Sequence, residues 1–117
     1  MQKFRTLCFD LDNTLCVTKG NDYKNSKPKR NAIKLVNKLY DKGYIIKIYT
    51  ARYMGRSNDL IKDKNRKYFK IAKQIKKFRI KYHKLFISKP SADMYIDDKG
   101  YGFNKNWIKK LITILEK

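Results

Sequence analysis

Short apolar runs alternate along this chain with longer stretches whose apolar positions recur every three or four residues. Phe4-Arg5-Thr6-Leu7-Cys8-Phe9 is rich in apolar and β-forming residues and has the length of one buried strand. The polar stretch 13–27 follows, with Gly20-Asn21-Asp22 marking a turn; it is too short for a domain and reads as a flap over the strand ends. Pro28 suits the first turn of a helix, and Ile33, Val36, Leu39 and Tyr40, with Leu35 beside them, predict that helix over 29–42. Lys42-Gly43 closes it with a cation and then a glycine. Residues 44–49 form a second strand with Thr50 at its carboxyl end, followed by a loop carrying Arg52, Gly55 and Arg56. Ser57 or Asn58 can cap a long helix starting near Asp59, with a buried stripe of Tyr68, Ile71, Ala72, Ile75, Phe78 and Tyr82. Residues 85–87 and 94–96 read as two short strands. Asn104 or Asn106 opens a last helix with Trp107, Ile108, Leu111, Ile112 and Leu115 on its apolar face. Strands alternating with helices predict an α/β fold with a parallel sheet.

The composition sets bounds on this picture. At 117 residues, 42% of them hydrophobic, residues 1–117 are expected to make one domain with a modest core. No run approaches the roughly 20 apolar residues that span a bilayer, and the N-terminus lacks the apolar stretch of a signal peptide. No membrane partner is expected. Cys8 and Cys16 are too few for a disulfide framework or a cysteine metal site, and they read as thiols in a reducing cytoplasm.

The net charge of +20 suggests a polyanionic partner such as nucleic acid. However, lysine far outnumbers arginine, and Asn, Ile and Tyr are abundant, which is what AT-rich codons supply. The basic residues are spread along the chain without one concentrated tract, so the charge does not by itself assign a nucleic-acid role. His83, the single histidine, precedes the third strand and is expected near the surface without a ligand role.

The candidate chemistry begins where the first strand ends. Asp10 and Asp12 stand two apart on an extended chain and project to the same side, at the strand end where open α/β sheets bind ligands. Paired acids repel unless a cation or shared proton compensates. On these residues alone, capping of the next turn and catalysis both remain open.

Asp10-Leu11-Asp12-Asn13-Thr14 resembles the first motif of the haloacid dehalogenase superfamily of phosphohydrolases. Ile48-Tyr49-Thr50 resembles its second motif, Lys89 its third, and Tyr95-Ile96-Asp97-Asp98 its fourth, in family order and spanning most of the chain. Thr50-Ala51-Arg52 and the run 89–99 are similar to the small capsule-biosynthesis phosphatases of that superfamily. The resemblance implies a three-layer Rossmann-like core, a small parallel sheet flanked by helices, with the third strand at an edge and the fourth beside the first. It implies a Mg²⁺-dependent phosphomonoesterase with Asp10 as nucleophile and Asp12 as general acid and base. Thr50 and Lys89 would hold the phosphoryl group. The metal would be held by Asp10, the main-chain carbonyl of Asp12 and Asp97, with Asp98 close behind.

Arg52, on the rim, is expected to grip a second anionic group of the substrate, and Tyr23 in the flap to cover the leaving group. Neither interval between motifs has room for a cap domain, so the site is expected to be open unless another subunit of a homo-oligomer covers it. The expected substrate is a small phosphorylated sugar or similar metabolite of surface-polysaccharide assembly. The alternatives are a terminal phosphate on nucleic acid and a non-catalytic metal- or phosphate-binding module.

Overall fold

The computed structural model describes residues 5–52, 64–87, 92–97 and 105–116. Strand β1 (Thr6–Asp10) lies in a parallel sheet with β4 (Ile45–Tyr49), β5 (Lys84–Phe86) and β6 (Met94–Ile96), in the order β5-β4-β1-β6. The first and fourth strands of the sequence pattern are therefore neighbours, and the third is at an edge. Helices α1 (Arg30–Asp41), α2 (Lys64–Lys77) and α3 (Trp107–Leu115) flank the sheet, a Rossmann-like core without a cap among the described residues. None of these helices is long and apolar enough to cross a membrane.

Register decides which side chains meet. Leu7 pairs with Ile46 and Met94, Phe9 with Ile48 and Ile96, and Ile48 with Leu85, so these side chains share one sheet face. They join Ile33, Val36 and Leu39 of α1, Ile71 and Ile75 of α2, and Trp107 and Leu111 of α3 in one buried cluster. The Phe9 and Trp107 rings lie 6.5 Å apart, centroid to centroid. Burying each such side chain stabilises the fold by about 1.5–3 kcal/mol. On the other face, Cys8 is buried, Lys47 half-buried and Tyr95 exposed. Cys8 and Cys16 are both buried thiols, not a disulfide.

Helix ends follow backbone chemistry. Gly43 has φ +99°, and Tyr44 N–H donates to Leu39 C=O, the closure expected of Lys42-Gly43. The same closure ends α2 at Arg79, a non-glycine at φ 61°, with Ile80 N–H donating to Ile75 C=O and both isoleucines buried. Phe78 and Tyr82, expected within the long helix, therefore lie beyond its end; Tyr68 and Ile112, expected inside, are 37% and 36% exposed. The helix start near Asp59 lies outside the described residues. Pro28 precedes α1 instead of opening it, because it is held in β3 (Lys27–Pro28), which pairs antiparallel with β2 (Cys16–Val17). This two-stranded ribbon and a short 3₁₀ turn, Tyr23–Asn25, build the flap.

Candidate active site

Asp10 ends β1, Asp97 follows β6, and Tyr49 ends β4, so the parallel sheet delivers all three to one rim. Open α/β sheets bind ligands beyond the carboxyl ends of their strands. There a cavity of about 260 Å³ is lined by Asp10, Asp12, Asp97, Tyr23, Tyr49 and Arg52, among others. The negative charges matter to their neighbour: burial first, then Asp10 and Asp97, then Cys8, push the Tyr49 phenol above its ordinary pKa.

The turn after β1 sets Asp12. Leu11 N–H donates to Tyr49 C=O at 3.0 Å, tying the exit of β1 to that of β4. The N–H groups of Leu15 and Cys16 then converge on Leu11 C=O, at 2.9 and 3.2 Å. Asn13 adopts φ 63°, which its short polar side chain tolerates, and its Oδ1 accepts from Thr18 N–H at 3.2 Å. Lys29 Nζ donates to the Asn13 carbonyl at 3.1 Å.

Asp12 is consequently held from several sides. Oδ1 accepts from Thr18 Oγ1 at 2.6 Å and from Arg52 Nη2 at 2.8 Å, while Arg52 Nε reaches Oδ1 and Oδ2 at 3.1 and 3.0 Å. Thr18 Oγ1 also shares a hydrogen bond with Ser26 Oγ at 2.6 Å, and Arg52 Nη2 lies 3.3 Å from the same Ser26 Oγ. Beside this cluster the Cys16 thiol is pushed above its ordinary pKa, chiefly by burial, so it stays protonated and contacts Leu11 C=O at 3.6 Å.

Arg52 lines the cavity at the rim, where its sequence position placed it, but its side chain is turned inward. It is 4% exposed, and its guanidinium faces Asp12, Ser26 and Gln74. The Tyr23 ring lies over it, 4.8 Å from the guanidinium carbon to the ring centroid. The physical reason is charge: a buried guanidinium needs a carboxylate partner, and its fork matches one geometrically. Thr50 is fully buried and does not itself line the cavity, although its neighbours Tyr49 and Ala51 do; its Oγ1 accepts from Arg52 N–H at 3.1 Å, a bond that does not use the hydroxyl proton.

Lys89 and Asp98, the other expected site residues, lie outside the described residues. His83 does not approach the cavity. It brackets Ile46, accepting at Nδ1 from its N–H and donating to its C=O, and stacks on Tyr40. Asp93 accepts from Arg5 and Thr6 N–H groups at 3.1 and 2.9 Å, which clamps β6 to β1 far from the rim.

Three residues that sequence reasoning passed over belong to the site: Thr18, Ser26 and Gln74. Thr18 and Ser26 are hydroxyls in a polar flap, alike in sequence to solvated ones. Gln74 sits among lysines on α2, where nothing local sets it apart.

The residues present fit a divalent cation of the Mg²⁺ type. Among the described residues, no three His, Cys, Asp or Glu side chains converge closely enough to hold a metal ion by themselves. Mg²⁺ asks for less, one or two carboxylates with carbonyl, water and phosphate oxygens in octahedral array. Asp10 and Asp97 supply two carboxylates on one cavity, and Asp12 has its carbonyl in the turn that follows β1. That turn also buries Thr14 Oγ1 without a hydrogen-bond partner among the described residues, an arrangement that costs about 1–3 kcal/mol until a water or ligand oxygen fills it.

Comparison with known protein families and with curated proteins gives no match. Solved structures do match. The crystal structure of a target protein from Vibrio cholerae is 27% identical, with a TM-score of 0.66, covering 97% of this chain and 99% of that one. The structure of a conserved protein from Bacteroides thetaiotaomicron is 15% identical, also with a TM-score of 0.66, covering 97% of this chain and 92% of that one. These proteins share the fold and size of this chain.

Proposed function

We propose that the chain is a haloacid dehalogenase-type phosphatase, a Mg²⁺-dependent phosphomonoester hydrolase that works through a phospho-aspartate on Asp10. The observation that carries this reading is that Asp10 and Asp97, delivered by adjacent strands, line one cavity together with Asp12 at the carboxyl rim of the sheet, where a buried arginine pairs with Asp12. A phosphate monoester resists hydrolysis because its negative charge repels nucleophiles, so a site must offset charge and align attack. Bound Mg²⁺ would supply that offset, held by Asp10, Asp97 and the Asp12 carbonyl, with Asp98 close by.

Asp10 attacks phosphorus in line, forming an acyl phosphate and breaking the ester bond. The proton for the leaving oxygen comes from Asp12, which then takes a proton from the water that hydrolyses the acyl phosphate. Thr50 donates its hydroxyl to a phosphoryl oxygen, and Lys89 balances the phosphoryl charge. The protein is cytoplasmic in this reading, and its substrate is a phosphorylated sugar or similar small metabolite of surface-polysaccharide assembly, as the similarity at 50–52 and 89–99 suggests. The test is turnover of a panel of sugar phosphates and an aryl phosphate with and without chelator. Loss of activity on chelation supports the reading; full activity without divalent metal overturns it.

A second reading keeps the chemistry and changes the substrate to a nucleic-acid end. It is favoured by a hollow of about 610 Å³ in which Lys24, Lys70, Lys73, Lys76 and Lys77 join Tyr23 and Arg52, both of which also line the catalytic cavity. These lysines adjoin the rim. A salt series decides: counterion release makes turnover of an end-phosphorylated oligonucleotide fall steeply with salt, whereas a compact sugar phosphate responds weakly. Preference for the oligonucleotide with a steep slope would replace the first reading.

A further inference from the structure

Gln74 has one amide and two demanding neighbours. Arg52 Nη1 can only donate, so the Gln74 oxygen Oε1 must face it, and this is the contact the structure records. The Tyr23 carbonyl can only accept, so the amide nitrogen Nε2 must face it, and it donates there at 2.7 Å. Both amide ends are thereby assigned by their partners without ambiguity. The same Tyr23 roofs the guanidinium with its ring. Gln74 thus joins three separate pieces of chain: α2, the flap turn, and the loop after β4.

The consequence reaches Asp12. Its Oδ1 takes Thr18 Oγ1, Arg52 Nη2 and Arg52 Nε, with the Cys16 sulfur at 3.7 Å, which fills both lone-pair directions of that oxygen. Among the described residues, Oδ2 takes only Arg52 Nε. A proton for a leaving group must therefore travel through Oδ2, and the orientation of Arg52 decides where Oδ2 points. With one end of the guanidinium fixed by Gln74, the fork cannot turn about its stem without losing that acceptor.

We propose that Gln74 is a positioning residue: through Arg52 it holds Asp12 with Oδ2 as the working oxygen, and through the Tyr23 carbonyl it couples that setting to the flap over the substrate. The inference rests on the phosphatase reading above. Its chemistry has two arms, and substitution separates them. Gln74→Met removes both. Gln74→Glu keeps an acceptor for Arg52 but loses the donor to Tyr23, so the arm to Asp12 survives and the arm to the flap does not.

The experiment measures kcat and KM of the full chain with Mg²⁺ on an alkyl phosphate and on p-nitrophenyl phosphate, whose leaving group departs with little help from an acid. Amide hydrogen exchange at 23–26 is followed in parallel as a readout independent of turnover. General acid assistance contributes about 10²–10⁴-fold, so partial misplacement of Oδ2 in Gln74→Met should lower kcat on the alkyl ester by about tenfold and on the aryl ester by about twofold at most. Gln74→Glu should restore the alkyl-to-aryl ratio while raising KM for both, and both variants should speed exchange in the flap. Equal losses on the two esters, or a Gln74→Glu ratio as poor as that of Gln74→Met, would overturn the proposal while leaving the phosphatase reading intact. Absence of Mg²⁺-dependent turnover in the unsubstituted protein would overturn the reading and the proposal with it. A Gln74→Met protein with unchanged flap exchange and unchanged kinetics would show the amide to be structural decoration.

Discussion

Replacing Arg52 should cost more stability than any surface charge on this protein, and the pair it forms with Asp12 allows the size to be worked out. Arg52→Met retains the apolar stem and removes the guanidinium. The lost contacts include three donations to Asp12, at 2.8, 3.0 and 3.1 Å, together with those to Gln74 and Ser26. Breaking a fully buried pair by removing one partner costs about 3–5 kcal/mol, and an exposed pair is worth about 0–1 kcal/mol. Here the arginine side chain is 3% exposed and the aspartate 21%. Solvent reaching Asp12 places the expected loss near the lower bound for burial, about 3 kcal/mol, of which the Arg52–Asp12 coupling supplies about 2 kcal/mol.

The assay is a double-mutant cycle with Asp12→Asn, by urea unfolding followed by far-ultraviolet circular dichroism. Lys81–Asp41 provides the internal control, since its charges also approach to 2.8 Å but are 50% and 60% exposed. Its coupling should be about 0.3 kcal/mol. If the two cycles give equal coupling, burial is not what strengthens the Arg52 pair, and the reasoning fails.

Two further outcomes follow from the fold. Arg79→Gly should stabilise the protein by about 1 kcal/mol in the same unfolding assay, because φ 61° strains a side-chain-bearing residue and suits glycine; a loss of stability would show that the arginine side chain itself supports the end of α2. Asp93 is held below its ordinary carboxylate pKa, first by the N–H of Thr6 and then by that of Arg5. A lowered folded pKa adds stability above the unfolded value of 3.8, which is lost as pH falls below it. The stability gap between the unsubstituted protein and Asp93→Asn should therefore narrow from neutral pH to about pH 3; a gap independent of pH would contradict the assignment.

The parts of this architecture that depend on periodicity were legible in the sequence. Leu7, Phe9, Ile46 and Ile48 alternate as strand residues must, and Ile33, Val36 and Leu39 recur as helix residues must. The placing of Asp10 and Asp97 at one rim came not from periodicity but from the family resemblance, which implied that the fourth strand lies beside the first. What escaped was set by tertiary contact. Arg79 closes a helix in a conformation that sequence reading reserves for glycine, because Ile80 and Ile75 are buried together there. Pro28 left the helix for a two-residue ladder with Cys16, a pairing too short to leave a pattern. Arg52 reads as a rim cation until the flap brings Ser26 and Tyr23 over it, and Gln74 acquires meaning only when α2 lies beside both.

The central claim is that Asp10 becomes phosphorylated during turnover. The direct measurement is to quench the protein with borohydride during steady turnover of an aryl phosphate with Mg²⁺, then map it by mass spectrometry. Borohydride reduces an acyl phosphate to an alcohol, so the account predicts homoserine at position 10, absent when chelator is present and absent in Asp10→Asn. Homoserine at position 12, or sustained turnover with position 10 unmodified, would contradict it.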